Sequence, residues 1–93
     1  MHNWTQEDDV VACYLYRFEG RSKIRGIPYS FEQIAGKIGT TIGSLDRRMG
    51  NFEALDGAGN LDHWAMISEA VYHQYSDVAE QDHRAEVLKI LRS

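Results

Sequence analysis

The chain has 93 residues, of which 43% are apolar and 26% charged, and its formal net charge is −4. These values fit one small globular domain, because the chain is too short for two cores and too apolar for a disordered segment. A single cysteine excludes a disulfide framework within one chain, and no apolar stretch approaches the ~20 residues that span a bilayer. The N-terminal residues MHNWTQEDD lack a signal-peptide pattern, so a cytoplasmic protein without membrane contact is expected.

Charge is distributed unevenly along the chain. Residues 17–48 contain seven basic and three acidic residues and carry +4, whereas the remaining residues carry −8. A basic surface suits a nucleic acid, because phosphates must be neutralised, and an acidic surface suits a basic protein partner. Two classes of partner therefore stay open.

Helical periodicity predicts an all-α fold of about five helices. The first helix is expected after Thr5, an N-cap residue, and should run to about Phe18. The acidic residues 7–9 suit the positive end of its dipole, and Cys13 falls in an apolar run where a buried thiol is expected. The inward stripe of this helix is expected to contain Val11, Tyr14, Leu15 and Phe18.

The sharpest local signal lies at residues 30–33, where the string SFEQ forms a capping box. Tyr29 and Ile34 supply the hydrophobic staple of this second helix, and Gly39 suits its C-terminal turn. Thr40 and Thr41 can cap a third helix. Its inward residues are expected to be Ile42, Leu45, Met49 and Phe52. Two short helices joined by a glycine-containing turn predict a helix-turn-helix.

Two more helices are expected after the turn-forming segment 55–60, from about Asp62 to Tyr75 and from about Asp77 to Leu91. The inward positions of this C-terminal pair would be Trp64, Ile67, Val71, Val78, Ala85, Leu88 and Leu91. Residues 1–93 are thus expected to form one domain, with a helix-turn-helix core at about 5–55 and a helical pair at about 62–91.

The exposed face of the third helix is the candidate DNA-binding surface. A helical wheel places Ser44, Arg47 and Asn51 opposite the inward stripe, with Arg48 on the flank. Arginine matches guanine and asparagine matches adenine in the major groove. The full set of predicted DNA contacts comprises Thr40, Thr41, Ser44, Arg47, Arg48 and Asn51, with Arg21, Lys23 and Arg25 of the connecting loop on flanking phosphates. Asp46 would repel phosphate unless it pairs with Arg47 or Arg48 or accepts from cytosine.

No catalytic or metal-binding pattern is found in the sequence. It contains no P-loop, no GxGxxG, no GxSxG and no Cys/His nucleophile arrangement. The histidines are spread along the chain, without metal-ligand spacing, and are interpreted as solvated surface residues: His2, His63, His73 and His83. A non-enzymatic protein without a cofactor or metal is expected.

Residues 10–57 contain the strings ACYLYR at 12–17, IAGKIG at 34–39, SLDRRMGNF at 44–52 and LDG at 55–57. Together with Pro28, these strings resemble the helical N-terminal region that precedes HNH nuclease domains in many bacterial restriction-like proteins. The resemblance implies that Ser44, Arg48 and Asn51 help to specify or position DNA. No His-Asn-His segment follows, so cleavage is not implied. The string WTQED at 4–8 is also similar to the start of Myb/SANT domains.

The leading hypothesis is a non-enzymatic DNA-binding module of bacterial or phage origin, acting on double-stranded DNA as a homodimer because one recognition helix buries little surface. The alternative is an acidic interaction module, such as a small phage-encoded inhibitor that occupies the nucleic-acid-binding surface of a host protein. Clustering of Asp56, Asp62, Glu69, Asp77, Glu80 and Asp82 would favour it. An accessory specificity subunit that acts with a separate nuclease is a third hypothesis.

Overall fold

The computed structural model describes residues 2–21, 24–57 and 65–93. Within these ranges the fold is all-α, as expected, with no strand. The elements in chain order are α1 (Gln6–Tyr14), a π-helical turn (Leu15–Glu19), α2 (Phe31–Lys37), α3 (Ile42–Leu55), α4 (Met66–Tyr75) and α5 (Glu80–Arg92). None of the helices in the described part combines the length and apolarity needed to cross a membrane.

The helix starts were predicted accurately where a capping side chain marks them. Thr5 accepts a hydrogen bond from the backbone N–H of Asp8, whose carboxylate accepts in turn from the backbone of Thr5. Ser30 and Gln33 form the expected second capping box. α1 ends earlier than expected, at Tyr14, and the chain continues to Glu19 as a π-helical turn, closed by a 2.8 Å bond from Gly20 N–H to the Leu15 carbonyl.

α1 lies at the centre of the core and packs against α3, α4 and α5. Every residue from Val10 to Leu15 is buried, because neighbouring helices cover this helix on several sides. The expectation of a single inward stripe on α1 is therefore corrected, and Phe18 lies only partly buried at the edge. Cys13 is buried as expected, and burial raises the pKa of its thiol to about 12.

Three other predicted core positions lie outside the core. Ile42 is 48% exposed and Ile67 is 38% exposed, because each lies in the first turn of its helix, beyond the surface that the neighbouring helices cover. Ala85 is also exposed. α4 is described from Met66, and α5 begins at Glu80, later than expected. The predictions for Trp64 and for a helix start at Asp62 fall outside the described residues.

A buried polar network joins α1, α3 and α4. The Asp9 carboxylate is fully buried and accepts two hydrogen bonds from Arg48, at 2.7 Å from Nε and 2.6 Å from Nη2. Ser68 on α4 donates to the same carboxylate at 3.1 Å, and Asn51 donates to the Ser68 hydroxyl at 3.1 Å. Asp9 lies in the first turn of α1 as expected, but the sequence did not indicate that its carboxylate is buried. Its charge is matched inside the core, which a buried carboxylate requires.

A second buried network is centred on His83 of α5. Its Nε2 donates to the Val10 carbonyl at 2.9 Å, and its Nδ1 accepts from Arg17 at 3.1 Å. Arg17 also donates to the Val78 carbonyl at 2.8 Å, which connects the π-helical turn to the segment between α4 and α5. The interpretation of His83 as a solvated surface residue is therefore wrong. Burial lowers its pKa from 6.5 to about 4, and the nearby Arg17 charge acts in the same direction.

Neighbouring arginines of α3 allow a matched test of the first network. Arg48→Ala would leave the buried Asp9 carboxylate without its cation, and we expect a loss of about 3–5 kcal/mol in the free energy of unfolding. Arg47→Ala removes the same side chain from an exposed position and should change stability by less than about 0.5 kcal/mol. Urea denaturation of both variants measures the difference. Equal losses would contradict the buried pair as a stabilising contact.

The second network predicts a dependence of stability on pH. Below pH 6.5 the unfolded chain protonates His83, whereas the folded chain keeps it neutral until about pH 4. Stability should therefore fall as the pH drops through this interval, by roughly 2 kcal/mol between pH 7 and pH 5. The wild type and His83→Gln, which keeps an amide donor but does not titrate, should be compared by urea denaturation. A loss of equal size in both proteins would assign the effect to other groups.

Candidate nucleic-acid interface

The turn between α2 and α3 is set by a C-terminal glycine motif followed by a new cap. Thr40 N–H donates to the Ala35 carbonyl at 2.9 Å and Gly39 N–H donates to the Gly36 carbonyl at 3.1 Å. Gly39 has φ of 85°, a conformation that favours glycine. Thr41 then caps α3, because its hydroxyl accepts from Ser44 N–H at 3.1 Å. Both features were predicted from the sequence, and together they set the direction of α3.

An open groove of about 660 Å³ lies where this turn meets the first two turns of α3. One side is formed by four of the predicted contact residues, which the structure brings together: Thr40, Thr41, Ser44 and Arg47. Arg47 is exposed, and no carboxylate of the described residues forms an ion pair with it. Hydroxyl groups and a guanidinium in one groove can donate several hydrogen bonds to an anionic ligand.

Arg48 and Asn51 differ from the prediction, because both side chains take part in the internal network with Asp9 and Ser68. The side chain of Arg48 is 12% exposed, and its guanidinium lies over the Trp4 ring at 4.8 Å from the centroid. Asn51 uses its amide N–H on Ser68. Asn51 is therefore half-buried, although it still lines the smaller hollow that Trp4, Ser44, Arg47 and Arg48 also line. Two of the three residues that the family resemblance implied for DNA recognition thus also bond to groups inside the protein.

The basic loop is also arranged differently from the expectation. Arg21 forms ion pairs with Asp46 and Glu53 of α3, so its charge is already matched within the protein. Asp46 is thus partnered by Arg21 and not by Arg47 or Arg48. Arg25 lies near another hollow, beside Glu80 and Arg84 of α5. Lys23 falls outside the described residues. Among the described loop arginines, neither lines the groove.

The N-terminal segment His2–Trp4 lies near α3, a position that the sequence did not predict. His2 and Asn3 line the groove opposite Thr41 and Ser44, and Trp4 lines a smaller hollow of about 220 Å³ beside Arg47. This segment precedes the first N-cap and has no helical periodicity, so no sequence signal indicated where it folds. The only sequence feature noted in this segment was Trp4, the first residue of the WTQED string.

No group of three or more His, Cys, Asp or Glu side chains is placed to bind a metal ion within residues 2–21, 24–57 and 65–93. Comparison with known proteins found no matching family model, no matching curated protein and no matching solved structure. The resemblance to the region that precedes HNH nuclease domains therefore stays a prediction.

Two nearby glycines allow a test of the turn geometry. Gly39→Ala should lower the free energy of unfolding by about 1–2 kcal/mol, because an L residue at φ of 85° is strained. Gly36→Ala lies in α2, and no atom lies within 4 Å of the added Cβ, so it should raise stability by about 0.5–1 kcal/mol. Thermal unfolding distinguishes the two signs. A neutral or stabilising Gly39→Ala would contradict the left-handed turn.

Proposed function

We propose that this protein is a non-enzymatic DNA-binding module in which α2, the turn at 38–41 and α3 act as a helix-turn-helix. One observation carries the proposal: the first half of α3 and the preceding turn present Thr40, Thr41, Ser44 and Arg47 in a single open groove. Donor groups at the start of a recognition helix are what contact with phosphates and base edges requires.

The internal hydrogen bonds of α3 reduce the number of its side chains that are free to contact DNA bases. Since Arg48 and Asn51 are used inside the protein, base recognition would fall to Arg47 and Ser44, at the exposed end of α3. Arg47 suits guanine, and Thr40 and Thr41 suit phosphate oxygens. The internal contacts of Arg48 and Asn51 support base recognition by Arg47, because they fix the orientation of α3 about its axis and keep Arg47 directed outward.

The electrostatic arrangement is compatible with DNA near α3. Asp46, the carboxylate closest in sequence to the contact residues, forms an ion pair with Arg21, which reduces its repulsion of phosphate although Arg21 is shared with Glu53. Lys37 adds a further exposed cation at the end of α2, with its ammonium 4.5 Å from the centroid of the Tyr29 ring. With one short basic surface, affinity for a single site would be low. We therefore propose a homodimer that binds two half-sites, in the bacterial or phage cytoplasmic setting that the family resemblance favours.

An acidic protein-interaction module is the second candidate. Asp77, Glu80 and Asp82 are exposed where α4 leads into α5, which favours it. Other members of the expected acidic cluster are arranged differently. Asp56 accepts hydrogen bonds from Tyr16 and Tyr72, Glu69 is half-buried, and Asp62 lies outside the described residues. The acidic surface is therefore smaller than its sequence suggested.

A titration of random-sequence duplex DNA, followed by fluorescence anisotropy at several salt concentrations, tests the proposal. The wild type should bind in the micromolar range at low salt and weaken steeply as salt rises. Arg47→Ala should weaken binding of this random-sequence duplex and, if Arg47 contacts a base, relax the preference among defined sequences by about 1–3 kcal/mol. Arg92→Ala removes an equal charge from the exposed end of α5 and should have little effect.

Equal losses in Arg47→Ala and Arg92→Ala would show that binding follows overall charge and not the groove. Absence of binding by the wild type at low salt would overturn the DNA-binding proposal. In that case a variant with Asp77, Glu80 and Asp82 neutralised should be compared with the wild type for binding to a basic protein partner.

A further inference from the structure

The N-terminal segment His2–Trp4 is held against the rest of the protein by two contacts, and a third contact lies within the segment. His2 Nε2 lies 2.8 Å from Asp8 Oδ2. The Arg48 guanidinium covers the Trp4 ring at 4.8 Å. The His2 and Trp4 rings meet edge to face, with centroids 4.9 Å apart. Because Asp8 and Arg48 belong to different helices, these contacts place the segment between the start of α1 and the exposed side of α3.

The segment forms one wall of a continuous groove. The hollow that His2 and Asn3 line and the hollow that Trp4 lines share two residues, Ser44 and Arg47, on the opposite wall. At one end the His2 ring lies close to the turn, since a Cβ added at Gly39 would be 3.7 Å from His2 Cε1. The two hollows therefore adjoin at Ser44 and Arg47, and residues of the N-terminal segment and of α3 line both.

Asn3 is the member of this wall best placed to bind a ligand. His2 is engaged with Asp8, and Trp4 is covered by Arg48. Asn3 is exposed, and no hydrogen bond links its side chain to another described residue. Its amide can donate two hydrogen bonds across the groove from the hydroxyls of Thr41 and Ser44. The Asp8 carboxylate, which His2 contacts, also accepts from Thr5 N–H.

We propose that the segment His2–Trp4 is a second DNA-contacting element and that Asn3 contacts the phosphate backbone while α3 contacts the duplex from the other side of the groove. This inference rests on the proposed function, since it assigns a further contact to the same site. Neutral amide donors contact phosphates commonly and fix the position of a protein on DNA. The segment would thus set the register of α3 along the duplex.

Charge substitution at Asn3 tests the inference without removing a structural contact. Asn3→Arg should tighten binding of random-sequence duplex several-fold at low salt, and its salt dependence should steepen by about 0.9 in log K against log salt for one added phosphate contact. Asn3→Glu should weaken binding several-fold. Gln81→Arg and Gln81→Glu are the matched controls, because Gln81 is exposed on α5 and none of the residues that line the groove belongs to that helix.

The outcomes separate this inference from the function on which it rests. Larger effects at Asn3 than at Gln81, with the steeper salt dependence in Asn3→Arg alone, support the second contact. Equal effects at the two positions, together with weaker binding by Arg47→Ala, would overturn the N-terminal contact and leave the α3 surface intact. No binding by the wild type, or no effect of Arg47→Ala, would overturn the proposed function and this inference with it. Thermal unfolding of all four variants shows whether each one is folded during the assay.

Discussion

The ion pair between Asp9 and Arg48 is the interaction on which the arrangement of the helices depends. The buried Asp9 carboxylate of α1 accepts hydrogen bonds from Arg48 of α3 and from Ser68 of α4, so it joins three helices at one point. An unpaired charge in this position would be strongly unfavourable, and few other packings of these helices would bring both donors to it. The pair therefore selects one register of α3 against α1. That register also directs Arg47, the next residue in the chain, toward solvent.

The polar contacts of α1 follow from how completely it is buried. A helix covered on several sides cannot leave polar groups to water, so each one needs a partner from a neighbouring helix. Asp9 finds Arg48 on α3, and the Val10 carbonyl accepts from His83 on α5. No buried side-chain nitrogen or oxygen among the described residues lacks a hydrogen bond. Hydrophobic burial supplies the driving force for folding, and these bonds decide which helix faces meet.

The groove beside α3 is a consequence of the same contacts. Arg48 makes two kinds of contact. Its N–H groups donate to Asp9, and the face of its guanidinium covers the Trp4 ring. The second contact holds the N-terminal segment beside α3. Arg21 forms ion pairs with Asp46 and Glu53 of α3 and so reduces the repulsion between these carboxylates and an anionic ligand. The surface proposed to contact DNA is therefore small and depends on residues that do not themselves reach the ligand. Arg21 and Arg48 form ion pairs within the protein, so Arg47 is the principal exposed cation of α3.

The all-α class, the five helices of the described residues and the turn between α2 and α3 follow from local sequence signals. These features depend on bonds between residues three to five apart, such as Thr5 with Asp8, Ser30 with Gln33 and Thr40 with Ala35, so a short window contains all the information. The contacts of Arg48, Asn51, Arg21 and His83 depend instead on how the helices pack. Their partners lie between 17 and 73 residues away, and a helical wheel assigns an exposed side from apolar residues alone. A polar side chain with a buried partner looks the same on that wheel as a solvated one, which is why the internal hydrogen bonds of Arg48 and Asn51 were not predicted.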